Sequence, residues 1–176
     1  KPLIKKTRYD NIDIVTSSVK MNAISNEFVN LSDEEKQSNI IKFRQSAYDY
    51  IIVDMPPAMN DFTENVLTIC DYVYVPIELG TFAVQGLAVT QKIANAGTKY
   101  ACFASKYDKG NKADQELLEI MKKNLGDKVL NTVIPFSRAI KNSISYRITA
   151  SEYMSWINPA RCYERLADEI IRTVEQ

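Results

Sequence analysis

Tyr48-Asp49-Tyr50-Ile51-Ile52-Val53-Asp54-Met55-Pro56-Pro57 sets an apolar, β-branched run against an acid and a proline pair. A continuous apolar run of this kind predicts a parallel strand, Tyr50 to Val53, covered on both faces. Asp54 then falls at the carboxyl edge of the sheet, where open α/β folds hold their ligands. Pro56 and Pro57 fix φ and remove two amide donors, so an irregular loop follows the acid and not a helix.

A strand-tip carboxylate before a rigid loop has the form of a Walker B acid, which helps hold Mg²⁺ on a nucleotide. Capping of the loop or of the next helix is the plainer role for an Asp in that place. Working outward, Ile12 to Val15 predicts a first strand that ends in Thr16-Ser17-Ser18. Ser32-Asp33-Glu34-Glu35 is a capping-box signature opening a helix with Ile40, Ile41 and Phe43 inward. Asn60 to Cys70 suits a helix with Phe62, Val66, Leu67 and Cys70 near one face. Tyr72 to Val75 predicts a strand halted by Pro76, and Phe82 to Ala96 a helix carrying Leu87, Ala88 and Ile93, with Gly97 at C′.

Tyr100 to Ala104 predicts a strand, Ala113 to Leu125 a helix closed by Gly126, and Val129 to Ile134 a strand stopped by Pro135. The last helix takes Asn158 as N-cap and Pro159 at N1, with Tyr163, Leu166, Ala167, Ile170 and Val174 inward. Strands alternating with helices mean right-handed βαβ units. The expected fold is α/β, a three-layer, doubly wound, mostly parallel sheet, with residues 1–176 as a single domain.

Twenty-two basic and twenty-two acidic residues cancel, so no global field draws the chain to nucleic acid, and DNA binding would need a local patch. The chain contains no histidine, which excludes His-based catalysis and His-ligated zinc. Cys70, Cys102 and Cys162 form no C-x-x-C pair, and the first two lie in apolar segments as core thiols. The sequence shows no signal peptide and no long apolar span, which points to the cytoplasm.

In this order the motifs resemble the ParA/Soj family of chromosome and plasmid partition ATPases, related to MinD. Tyr48–Pro57 is similar to the family's YDYIIIDxPP segment, and Asn65 falls where its switch II helix has an Asn. Tyr72–Leu87 is similar to the strand–Pro–loop–Gly-Leu block that follows. Ser105-Lys106-Tyr107-Asp108 and Val133-Ile134-Pro135 resemble two later landmarks near the nucleotide base. Ala160-x-x-Tyr163-x-x-Leu166-Ala167-x-Glu169-Ile170 resembles the closing helix.

The resemblance implies a P-loop NTPase-like fold with ATP and Mg²⁺ as cofactors and Asp54 as the Walker B acid, reaching the metal through water. It implies that Ser105 and Lys106, with Pro135 and Phe136, wall the base, although Phe136 stands where a polar or basic residue is usual. It also implies nonspecific DNA contacts after that proline. Arg138, Lys141 and Arg147 supply charge there, while Ala139 holds the expected arginine position. A solvated basic face is the plainer reading of each cation.

The partners implied are a ParB-like centromere-binding protein, a homodimeric second copy in the ATP state, and the nucleoid. No membrane contact is implied. No G-x-x-x-x-G-K-[ST] can be drawn through the five glycines. The expectation is therefore the C-terminal part of such an ATPase, with first strand and P-loop missing and the chain inactive alone. A non-catalytic partner-binding module of the same fold is the alternative. A MinD-like membrane-cycling ATPase ranks below both, because Ile170–Gln176 completes a core-packed helix and not a basic amphipathic one.

Overall fold

The computed structural model describes residues 4–16, 32, 35, 47–55, 61–67, 70–80, 83–95, 97–154, 156 and 158–175. They belong to two compact units, Lys1–Ile69 and Cys70–Gln176. In the first unit, β1 (Ile4–Lys6) pairs antiparallel with β2 (Asp13–Val15) in the register Ile4↔Val15, Lys5↔Ile14, Lys6↔Asp13. The expected first strand is β2, and its partner β1 is additional. Thr7 closes the hairpin by donating its hydroxyl to the Ile12 carbonyl at 2.6 Å. Asp13 accepts from Lys6 Nζ at 2.8 Å and from the Tyr48 hydroxyl at 2.6 Å. The Lys6 bond first and the Tyr48 bond second hold its carboxyl below the usual range.

The run from Tyr50 to Val53 departs from expectation. It forms no strand, and its side chains are exposed, Ile52 to 93%. A parallel strand is made by hydrogen-bonded neighbours and by cover on both faces. Among the described residues this run has neither, so its apolar sequence alone does not produce the strand. Pro56 and Pro57 lie outside the described residues.

The capping box forms: Glu35 N–H donates to Ser32 Oγ at 3.3 Å, and Ser32 N–H donates to Glu35 Oε2 at 2.9 Å. The positions expected to continue that helix, Ile40, Ile41 and Phe43, lie outside the described residues. Helix α1 (Asp61–Leu67) buries Val66 and Leu67, as its spacing predicts.

In the second unit β3 (Val73–Glu78) and β4 (Tyr100–Ser105) pair in parallel, from Val73↔Tyr100 to Glu78↔Ser105. Helix α2 (Ala83–Asn95) makes the crossover, and Gly97, at φ 75, ends it by donating to the Ala94 carbonyl at 3.0 Å. Pro76 does not halt β3. It sits opposite Phe103, in a strand that is an edge among the described residues, where a missing outward N–H costs no ladder bond.

Helix α3 (Lys112–Leu125) starts on Asn111, whose side chain accepts from Ala113 N–H, and closes at Gly126, at φ 55. Helices α4 (Arg138–Ser145) and α5 (Ala150–Met154) follow, both unforeseen, and α6 (Asn158–Val174) closes the chain.

Residues 129–135 run beside β4 without becoming a regular strand. They make two isolated parallel bridges, Cys102↔Val129 and Tyr107↔Pro135. Leu130 N–H bonds the Cys102 carbonyl and Ile134 N–H the Ala104 carbonyl, so four steps here face two on β4. The surplus bulges at Asn131 and Thr132, whose N–H groups donate to the Glu169 carboxylate at 2.6 and 2.9 Å. A carboxylate from α6 thus replaces the strand partner these amides lack.

Burial pulls the Glu169 carboxyl up, but its hydrogen bonds from Thr132 and Asn131 outweigh this and hold it below its ordinary 4.5. A depressed carboxyl stabilises the fold above the unfolded value and loses that contribution as pH falls through the folded one. Acid titration of the melting temperature should therefore show a loss beginning near pH 4.5 that Glu169→Gln removes. At neutral pH Glu169→Ala should cost roughly 1–3 kcal/mol in thermal denaturation. An unchanged acid limb would mean the bulge is held by other groups.

The core lies between β4, the bulged segment and α6: Ala101, Leu130, Ile134, Cys162 and Leu166, with Tyr72, Tyr74, Phe103 and Ile170 against it. On α6 the inward stripe is Cys162 and Leu166, both buried, and the half-buried Ile170, spaced four apart. Tyr163, Ala167 and Val174, expected inward, are exposed. The opposite side of β3 meets α2, where Gly86 abuts Ile77. Helices on both sides of a parallel pair give the expected α/β layering. Cys102 is fully buried, which pushes its thiol up to about 11 and leaves it inert, as expected of a core thiol.

Candidate functional site

The carboxyl ends of β3 and β4 meet the segment ending in Phe136. Past Ser105 the chain turns through Lys106, which holds φ 54, a left-handed conformation costing a side chain of order 1 kcal/mol. Both flanks enforce it. Ser105 is paired with Glu78 in the ladder, and Tyr107 is pinned from two sides. Tyr107 N–H donates to the Ile134 carbonyl at 3.0 Å, and its carbonyl accepts from Phe136 N–H at 2.9 Å. The Lys106 ammonium reaches back to Glu78 Oε2 at 2.6 Å.

The far side of the loop is fixed by Asp114, which is 5% exposed and commits both oxygens to it. Oδ2 accepts from Asp108 N–H at 2.8 Å and Oδ1 from Asn111 Nδ2 at 3.0 Å. Asp108 Oδ1 accepts from Gly110 N–H at 2.9 Å, closing an Asx turn. The loop from Ser105 to Asn111 is thus anchored at both ends, and a loop so held can present a shaped edge without ordering cost on binding.

The structure therefore brings four of the expected site residues to one edge. Ser105 and Lys106 stand on one side and Pro135 and Phe136 on the other, joined through the Tyr107 backbone. The Phe136 ring is 60% exposed, which suits a flat apolar wall. Sequence reasoning missed Glu78 and Asp114. The spacing Asp108, Asn111, Asp114 just before an apolar helix was the available signal for the second.

Arg138, Lys141 and Arg147 lie on α4 and its C-terminal turn, all exposed and without an ion pair among the described residues. Ser137 caps α4 by accepting from Ile140 N–H at 3.5 Å. Asp54 belongs to the first unit, is exposed, and makes no hydrogen bond or ion pair among the described residues. An unengaged carboxylate is the right donor for a hard cation such as Mg²⁺. Among the described residues no three His, Cys, Asp or Glu side chains cluster to hold a metal ion. The remaining ligands of such a cation would be water and phosphate oxygens.

A family described as an AAA domain matches residues 1–102. The chain is 29% identical over 178 residues to the chromosome-partitioning ATPase Soj of Treponema pallidum (strain Nichols), covering 96% of this chain and 70% of that protein. It is 27% identical over 177 residues to the sporulation initiation inhibitor protein Soj of Bacillus subtilis (strain 168), with the same two coverages, 96% and 70%. A crystal structure of a plasmid partition protein from Borrelia burgdorferi superposes with a TM-score of 0.61 at 20% identity, over 88% of this chain and 66% of that one. That likeness is one of fold.

Proposed function

Because this chain belongs to the AAA-domain family, in its ParA/Soj branch of partition ATPases, we propose that it serves an ATP-driven DNA-partitioning switch. The reading rests most on the Tyr107 backbone, which ties Ser105 and Lys106 to Pro135 and Phe136 at one sheet edge. In this reading Phe136 and Pro135 form one wall of the adenine pocket and Ser105 and Lys106 the other, while Asp54, taken by itself in the first unit, is the Walker B acid that would hold Mg²⁺ through water. Mg²⁺-ATP, when bound, supplies the phosphoryl group that is transferred to water. The chain's own residues orient the base and present α4 outward.

ATP closes a homodimer on the nucleoid, and the dimer holds DNA of any sequence through Arg138, Lys141 and Arg147. A ParB-like centromere-binding partner stimulates hydrolysis and releases it. The net charge is zero, so the affinity for phosphate must come from this local cluster.

Replacing Arg138, Lys141 and Arg147 together by Glu should weaken binding of the ATP-bound full-length protein to all DNA sequences. Each DNA phosphate left without its cation lowers the log–log salt slope by about one. ATP affinity should stay nearly unchanged. Filter binding across a salt series decides it: an unaltered slope places the DNA surface elsewhere or removes DNA from the reading.

A further inference from the structure

We propose that the turn after α4 is a stacking site for unpaired nucleobases, so that the basic face grips single-stranded DNA more tightly than duplex. This rests on reading that face as one that binds nucleic acid. The first observation is backbone strain. Arg147 N–H donates to the Ile144 carbonyl at 3.0 Å and Ile148 N–H to the Ser143 carbonyl at 3.1 Å, the two bonds of a Schellman turn. Arg147 is its C′ residue, at φ 57, a position that glycine fills without strain. A long cation kept in a left-handed turn marks a place where the side chain does something the backbone would rather avoid.

The second observation is the residue before it. The Tyr146 ring is 67% exposed and stacks on Tyr153 of α5, with centroids 5.6 Å apart and planes 20° from parallel. Tyr153 is partly buried, so one face of Tyr146 is seated on a held ring and the other is left to solvent. That is a preformed platform of the kind on which bases stack. Trp156, two residues beyond α5, is also largely exposed.

The third observation is charge. Lys141 and Arg147 are exposed on the same helix and turn as the platform, and Glu152, the one acid between residues 136 and 156, has its carboxylate engaged by Thr149. Duplex DNA offers phosphates to such cations but keeps its base faces stacked on each other. An unpaired base offers both a phosphate and an open π-face, and only that ligand uses the Tyr146 platform.

The test is fluorescence anisotropy of the ATP-bound full-length protein with labelled oligothymidylate of about 20 nucleotides and a duplex of matched length, longer than the roughly 4–16 nucleotides that an OB-fold single-strand site covers. The single strand should bind at least about 5-fold tighter. Tyr146→Ala should reduce its affinity roughly 5- to 100-fold while changing the duplex less than about 2-fold, and Tyr146→Phe, which keeps the ring face, should restore it. Arg147→Gly relaxes the turn and should weaken both probes alike, lowering each salt slope by about one.

Equal or tighter duplex binding, or a Tyr146→Ala loss shared by both probes, overturns the stacking site and leaves the DNA face standing. Binding of neither probe overturns both readings. Capture by anionic lipid vesicles without DNA binding, or self-association abolished by Tyr146→Ala, also overturns the proposal by giving the ring another occupant.

Discussion

Asp54→Ala is expected to reduce Mg²⁺-dependent ATP hydrolysis by the full-length protein roughly 100-fold or more, with the fold intact. A carboxylate that orients a metal's water shell typically changes metal affinity or activity by about 10- to 100-fold, and nucleotide charge neutralisation depends on the same ion. The side chain is exposed and unengaged among the described residues, so its removal strands no buried partner and the melting temperature should move little. Hydrolysis measured over a Mg²⁺ titration, beside a thermal melt, separates the two effects. Near-normal turnover would make Asp54 a loop cap and remove the Walker B assignment.

The largest expected effect on stability sits where α2 crosses β3. Ile77 is 1% exposed, and a Cβ built on Gly86 would stand 3.1 and 3.2 Å from its Cγ1 and Cγ2. The glycine is there because the helix approaches the sheet closely. Ile77→Ala should cost about 2–5 kcal/mol through reduced burial and the cavity left behind. Gly86→Leu should cost about 1–3 kcal/mol from the opposite cause, overpacking. The two share one space, so Ile77→Ala combined with Gly86→Leu should be less destabilising than the two costs added, by about 0.5 kcal/mol or more. Strict additivity in chemical denaturation would mean that α2 shifts as a body. Ile77 precedes Glu78, so the same variants should also disturb the Glu78–Lys106 pair at the site edge.

What the sequence made legible is what short-range chemistry decides. Gly126 after α3 and the Ser32–Glu35 box each act within one helical turn, and each forms as its residues predict. The stripe on α6 was half legible. Its length follows from its periodicity, with Asn158, expected as the N-cap, standing as its first residue, but which face turns inward is settled by Ala101, Leu130 and Ile134, residues far off in the chain.

The strand expected over Val129–Ile134 fails for the same kind of reason, because a carboxylate thirty-eight residues downstream captures the amides that a strand would pair. Tyr50–Val53 shows the reverse case: the side-chain pattern is that of a covered strand, but the cover must come from elsewhere. Of the candidate site, the residues at the turn were named through the family resemblance and not from spacing or periodicity. Glu78 acts through Lys106, twenty-eight residues on, a partner that no local spacing announces, whereas the partners of Asp114 lie only three and six residues before it.

The bulge at Asn131 and Thr132 works as a spacer. Side chains alternate along an extended chain, so removing or adding one residue between Leu130 and Ile134 would reverse the side of the loop that receives Phe136. Chain length in this stretch is as much a part of the proposed pocket's specification as the aromatic ring itself. A sequence that kept Pro135 and Phe136 but was one residue shorter here would hold every named group and still present the wrong wall.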